Sequence, residues 1–338
     1  GCPDVTTYGG MAAGGDSRWM TGYHAYLKAM KNRIRKVYRI SVGSPEGLDK
    51  LKHWLHNHLE GSPIGGVASF YANAPWNPIT LAPGTPEEGK HVITAWGGLP
   101  SHAMTIVGYN DSIRFDYNGD GIFTNDTDIN SDGCIDMRDW EIGGLLFADG
   151  WGYGINFADS GRCFMMYKTL AEKAYEGGIW NHDVHVLDVK EGEPALTARI
   201  RISHTRRGKI KVSTGISSGL NDSVPEHSIS FPVFNYQGGS QYMQGGISSD
   251  TNKIIEFGLD ISPLLGYVSE DELNHFFIIV DEYDPDGLGE GSILSFSVID
   301  HTGDPYEVIC QGLPLAINDD GRTMASVTFD KALHGLEI

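Results

Sequence analysis

The segment Asp128-Ile129-Asn130-Ser131-Asp132-Gly133-Cys134-Ile135-Asp136-Met137-Arg138-Asp139 sets side-chain oxygens at alternate places along a short loop. Calcium takes about six to eight hard oxygen ligands, and a twelve-residue loop delivers them from positions 1, 3, 5, 9 and 12, with a carbonyl at position 7. Asp128, Asn130, Asp132, Asp136 and Asp139 fill the side-chain positions, and Cys134 offers the carbonyl. Gly133 permits the sharp turn at position 6, while Ile135 is expected to anchor the loop to the core. Because every position fits, bound Ca2+ is favoured over a solvated acidic turn. Asp116-Tyr117-Asn118-Gly119-Asp120-Gly121 opens a second loop in the same way, with Asp116, Asn118 and Asp120 as ligands. Position 12 there is Thr127, so its closing ligand is expected from Asp126 or Asp128.

Both loops lie in a polar, acidic insertion, 111–141, between a strand that starts at His102 and one that ends at Ala148. Calcium would stiffen that connection, which makes its role structural. Upstream, Asp16 and Ser17 can cap a helix with Met20, Tyr23, Leu27 and Met30 on one face. Ser44-Pro45-Glu46 starts another, with Pro in the first turn and Leu48, Leu51, Leu55 and Leu59 as its buried stripe. His53, His56 and His58 on or beside that helix do not share a face and read as a solvated surface. Residues 73–90, with Pro75, Pro78, Pro83 and Pro86, read as a long loop between strands. Beyond Gly177-Gly178 period-two alternation dominates, as in Ala198–Ile202, Lys209–Val212, Ile254–Phe257, Phe276–Val280 and Ile293–Ile299, which predicts antiparallel sheets.

The chain has 338 residues, which suits two domains. Its 44 Asp and Glu against 25 Lys and Arg exclude the clustered basic surface that a nucleic-acid partner needs. No apolar run reaches the ~18 residues of a transmembrane helix. The opening at Gly1-Cys2-Pro3 reads as a mature or excised fragment without a signal peptide. Cys2, Cys134, Cys163 and Cys310 match no zinc or redox spacing. Calcium-type loops point outside the cytosol, to an extracellular, cell-surface or periplasmic location.

His102-Ala103-Met104-Thr105-Ile106-Val107-Gly108-Tyr109, followed some forty residues later by Asp149-Gly150-Trp151-Gly152, resembles the papain family of cysteine peptidases. That family has His-Ala before an apolar strand ending Val-Gly-Tyr, then a strand ending Asn-Ser-Trp-Gly. Tyr8-Gly9-Gly10-Met11 resembles its Gly-Gly segment along the cleft, and Pro45-Glu46-Gly47-Leu48 with Gly65–Tyr71 resembles its Glu-Gly-Leu helix and next strand. Asp139 at position 12 is similar to dockerin-type calcium loops. The resemblance covers roughly 1–176, and it weakens past Gly152, where the family usually repeats Trp-Gly.

The family's chemistry implies the roles. A cysteine attacks a peptide carbonyl as thiolate beside an imidazolium, and a third polar group orients the imidazole. By resemblance His102 is general base and acid, and Asp149 is the orienting group where the family has Asn. An Asp still accepts that hydrogen bond and adds a negative charge that favours imidazolium. Trp151 would shield the pair from water; Gly9 and Gly10 would line the cleft for an extended peptide or protein substrate. The family's nucleophile and oxyanion-hole Gln precede the Gly-Gly segment on a long helix, and nothing before Gly9 supplies them. The favoured reading sets the nucleophile on an upstream segment, with a cleaved N-terminal piece of the same precursor as a partner. The alternatives are a non-catalytic surface protein that binds peptide or glycan, and recruitment of Cys2. Cys163 reads as core.

His204-Thr205-Arg206-Arg207-Gly208, flanked by alternating stretches, is expected to form a hairpin turning at Arg207-Gly208. It resembles a hairpin of the P domain that follows proprotein convertases, which implies a jelly-roll accessory domain. Asp284-Pro285-Asp286-Gly287 and Asn318-Asp319-Asp320-Gly321 read as plain turns, with calcium binding as the alternative. The expected fold is therefore α+β: a papain-like peptidase domain at 1–177, calcium insertion included, followed by an all-β jelly-roll or β-sandwich domain at 178–338.

Overall fold

The computed structural model of the chain describes residues 19–59, 61–73, 78–149, 159, 161–219, 222–245, 252–268 and 273–329. It is β-rich, with three sheets. The elements run α1 (Tyr23–Met30), β1 (Asn32–Ser41), α2 (Pro45–Asn57), β2 (Ala68–Ala72), β3 (Ile79–Thr80), β4 (His91–Ile93), β5 (His102–Arg114), β6 (Ile142–Ala148), β7 (Arg162–Met166), α3 (Lys168–Ala171) and β8 (Asp183–Glu191). There follow β9 (Leu196–His204), β10 (Ile210–Ser217), β11 (His227–Asn235), β12 (Ile254–Asp260), β13 (Asn274–Glu282), β14 (Gly291–Asp300), β15 (Tyr306–Ile309), β16 (Leu315–Ala316) and β17 (Arg322–Phe329).

Two compact units divide the chain: Ile34–Val189, and the described residues before Ile34 together with the chain from Lys190 onward. The boundary thus differs from the expected break after residue 177. β8 stays with the first unit through Val189, because it pairs with β2 there. α1 belongs to the second unit instead, because it packs on β12. The N–H of Tyr23 donates to Glu256 Oε1 at 2.9 Å, and the Tyr23 hydroxyl meets Thr197 Oγ1 at 2.6 Å.

The first unit is an eight-stranded sheet in the order β1-β8-β2-β5-β6-β7-β4-β3. Period-two alternation positions β2, whose Ala68, Phe70 and Ala72 are buried while Ser69 and Tyr71 are exposed. α2 starts as its sequence requires: the Ser44 hydroxyl accepts from the Gly47 N–H at 3.3 Å, and Pro45 occupies the first turn. Leu48, Leu51, Trp54 and Leu55 bury its apolar face against the sheet core formed by Phe70, Ile106, Phe147 and Met165. Leu59 does not join that stripe. The helix ends at Asn57, His58 turns left-handed at φ 56°, and Leu59 is left 53% exposed. Four strands of this unit were not anticipated in the sequence: β1, most of whose residues are exposed, β3 within the proline-bearing loop, β4 just after it, and β8.

The second unit has a four-stranded sheet, β11-β10-β13-β17, and a second sheet ordered β12-β9-β14-β15, with β16 on β14. Residues of both sheets enter one core that includes Ile200, Val212, Phe257, Phe276, Ile278 and Phe296, which gives a sandwich-like arrangement. The expected hairpin at Arg207-Gly208 is not formed, because β9 and β10 lie in different sheets. The intervening segment bonds elsewhere: the N–H of Arg207 donates to Gln241 O at 2.9 Å and that of Gly208 to Gly239 O at 3.0 Å. The buried Arg207 side chain fixes the corner through Nε to Gly238 O at 2.9 Å, with its guanidinium over the Trp19 ring.

Candidate functional site

β5 and β6 are antiparallel neighbours, with Thr105 opposite Ala148 and Ile106 opposite Phe147. That register sets the residue after β6, Asp149, beside the first residues of β5. His102 Nε2 lies 2.8 Å from Asp149 Oδ1. An ionised carboxylate only accepts, so Nε2 carries the proton of this bond. The Asp149 side chain is 1% exposed and that of His102 18%, so the pair is shielded on its carboxylate side and open on its imidazole side. The backbone holds both partners: His102 pairs with Ala72 of β2, and the Asp149 N–H donates to Gly161 O at 3.0 Å. On the same sheet, a groove of about 960 Å³ is lined by residues that include Trp54, His58, Val67, Ser69, Thr105 and His185.

Trp151, Gly9, Gly10 and Cys2 lie outside the described residues. Of the remaining cysteines, Cys163 is buried within β7, and burial pushes its thiol far above the usual range. Cys310 is raised for the same reason, and Cys134 is exposed on the insertion. A buried thiol of raised pKa is a poor nucleophile, because the thiolate is the attacking form.

The insertion folds as two loops with matching internal hydrogen bonds. In the downstream loop, the Asp128 carboxylate accepts from the N–H groups of Asp132 at 3.2 Å and Gly133 at 2.9 Å. Asn130 Oδ1 accepts from Asp132 N–H and Asp132 Oδ1 from Cys134 N–H, each at 2.9 Å. Upstream, Asp116 accepts from Gly119 at 2.6 Å and Gly121 at 2.8 Å, Asn118 from Asp120 at 3.0 Å, and Asp120 from Ile122 at 2.7 Å. Position 6 is left-handed in both, at φ 78° for Gly121 and 87° for Gly133, which favours glycine. Ile135 does not anchor its loop in the core, since it is 59% exposed. Met137 takes that place, buried beside the 3₁₀ turn Met137–Asp139.

Arg138 was not anticipated as part of this loop. Its Nη2 lies 2.6 Å from Asp132 Oδ2 and 2.6 Å from Asp136 Oδ2. Hydrogen bonding from that guanidinium holds the Asp136 carboxyl below its usual range. Among the described residues, no three His, Cys, Asp or Glu side chains converge as a ready metal cage. The donor set is nonetheless one of hard oxygens, from Asp, Asn and a carbonyl, which is what calcium takes. The carboxylate oxygens that now accept one N–H each retain lone-pair capacity.

Comparison of the chain with protein-family models, with curated proteins and with solved structures finds no match. Among the described residues, no helix is long and apolar enough to cross a membrane.

Proposed function

We propose that this chain is the histidine-bearing body of a secreted, papain-like cysteine peptidase, stabilised by calcium, with a sandwich-like accessory unit behind it. The observation that carries the reading is the 2.8 Å bond between His102 Nε2 and the buried Asp149 Oδ1. A carboxylate that orders an imidazole through one ring nitrogen leaves proton transfer to the other, here Nδ1. In the proposed reaction a thiolate attacks the peptide carbonyl carbon, and Nδ1 gives its proton to the departing amine as the C–N bond breaks. Nδ1 then takes a proton from the water that attacks the thioester, releasing the acid and the thiolate. The thiolate belongs to residues outside the described ones, Cys2 or a segment preceding Gly1. Calcium in the 111–141 insertion would be held by Asp128, Asn130, Asp132, Asp136 and Asp139, with Asp116, Asn118 and Asp120 in the second loop. It would hold β5 and β6 together and take no part in the bond-breaking step.

The second reading is a calcium-stabilised surface protein that binds peptide or glycan without cleaving it. Hydrolysis of a fluorogenic peptide library by the secreted full-length protein separates the two. His102→Ala should lower the rate by about two to four powers of ten, the contribution of a positioned acid and base. Hydrolysis unchanged in that variant would sink the peptidase assignment, and no hydrolysis by the parent protein would leave the binding reading in its place.

A further inference from the structure

α1 is too short to hold itself. It has eight residues and no side-chain cap at Gly22, and isolated helices shorter than roughly 12–15 residues are marginal in water. It therefore depends on docking against the sheet of its own unit. Gly258 of β12 permits the close approach: a Cβ there would lie 3.0 Å from the Tyr23 ring and 3.2 Å from Met30 Cε. The Gly22 N–H donates to Glu256 O at 2.8 Å and the Tyr23 N–H to Glu256 Oε1 at 2.9 Å. We propose that this docking is an acid-sensitive latch, in which the Tyr23 hydroxyl, Thr197 and a neutral His301 hold α1 on its sheet and protonation of His301 Nε2 releases it.

Three polar atoms meet where α1 touches β9 and the residue after β14. The Tyr23 hydroxyl lies 2.6 Å from Thr197 Oγ1, Thr197 Oγ1 lies 2.9 Å from His301 Nε2, and the Tyr23 hydroxyl lies 3.2 Å from that same nitrogen. Tyr23 is 4% exposed and Thr197 is fully buried, so their two hydroxyl protons depend on this cluster for acceptors. With a lone pair on Nε2 both are satisfied: Tyr23 donates to Thr197, and Thr197 donates to Nε2. A proton on Nε2 reverses the run. His301 then donates to Thr197 and Thr197 to Tyr23, and the Tyr23 O–H has no acceptor left among the described residues. A buried donor without a partner forfeits the solvation it had in water, and Tyr23 regains that solvation when α1 lifts away.

The charges around His301 point the same way. Burial outweighs the neighbouring carboxylates and lowers the imidazole below its ordinary value of 6.5. Asp300 beside it, Glu193 before β9 and Asp260 at the end of β12 each favour the charged ring, but all three are engaged elsewhere. Lys31 Nζ lies 2.5 Å from Glu193 Oε1, Arg33 pairs with Asp260, and Asp300 Oδ1 accepts from the N–H and hydroxyl of Thr302 at 2.8 Å each. On the Tyr23 side stand the His24 ring, 5.6 Å away between centroids, and the Arg199 guanidinium, 5.6 Å from the Tyr23 centroid. Arg199 in turn meets Glu256 Oε2 at 3.0 Å and Glu307 Oε1 at 4.0 Å. A base lowered on folding contributes stability that is fully present above its unfolded value and is lost as pH falls below it. The latch therefore holds at neutral pH and loosens below about pH 6.5.

Hydrogen–deuterium exchange of the full chain reads the latch, with amides compared at about pH 7.5 and about pH 5.5 after correction for the intrinsic pH dependence of exchange. One titrating imidazole changes protection by at most about tenfold over that interval. Protection of the α1 amides should fall by about three- to tenfold, while amides of β13 keep theirs. His301→Gln leaves an acceptor for Thr197 but does not titrate, so it should abolish the fall. The His301 ring protons, followed by NMR in the parent chain, should titrate below 6.5. An equal fall in the parent and in His301→Gln, no fall in the parent, or an equal loss across β13 would overturn the latch. Where circular dichroism shows that His301→Gln has not folded, the NMR midpoint decides in its place: a value at or above 6.5 overturns the latch, and one below it together with the α1 fall supports it.

Discussion

Replacing Asp149 with Asn tests the geometry at the centre of the proposed site without presuming any activity. The substitution keeps shape and leaves an oxygen that can accept from His102 Nε2, but it removes the charge. The bond is 2.8 Å long and the carboxylate is 1% exposed, so solvent screens it little. A hydrogen bond to a charged group contributes about 1.5–3 kcal/mol, and a neutral one about 0.5–1.5 kcal/mol. The expected coupling between Asp149→Asn and His102→Gln in a double-mutant cycle is therefore about 1–2 kcal/mol. It is read from urea unfolding followed by tryptophan fluorescence. With two compact units, unfolding can proceed in two steps, and the coupling belongs to the step that either single variant displaces. Residues that do not interact add within about 0.3–0.5 kcal/mol. Additivity of that quality would refute the contact and, with it, the register that brings β5 and β6 to the site.

Two further outcomes follow from burial and charge. A maleimide at pH 8 should modify Cys134 rapidly and Cys163 only on unfolding, since one is exposed and the other buried with a raised thiol; mass spectrometry of the labelled peptides reads the difference. Burial opposes ionisation of Asp284, but the Gly289 N–H and the Lys209 ammonium, 3.2 Å away, outweigh it and lower the carboxyl below its ordinary value of 3.8. A carboxyl lowered on folding stabilises fully above its unfolded value, and that contribution is lost as pH falls through the folded one. The Asp284 side-chain carbon should thus titrate by NMR below pH 3.8, and Lys209→Met should move it upward; titration above that value in the parent chain would contradict the contact.

How much was legible in the sequence depended on how far apart the interacting residues lie. Ser44, Pro45 and the leucine spacing determine α2, because cap, first turn and apolar stripe all act within a few residues. The matching turns at Gly121 and Gly133 are equally local, each set by an acid at position 1 and a glycine at position 6. Alternation likewise marks β9, β10, β12 and β14, because side chains of a strand take opposite faces by geometry alone. Pairing is another matter. That β9 and β10 part into different sheets was decided by where Arg207 buries its side chain and where the neighbouring N–H groups find acceptors, some thirty residues downstream. Leu59 fits the helical spacing, but the left-handed turn at His58 carries it out of the stripe. His102 and Asp149 suggest a dyad only by resemblance. Their contact exists because β5 and β6 are neighbours in one register, a long-range choice made by the shared core of Ile106, Phe147 and Met165.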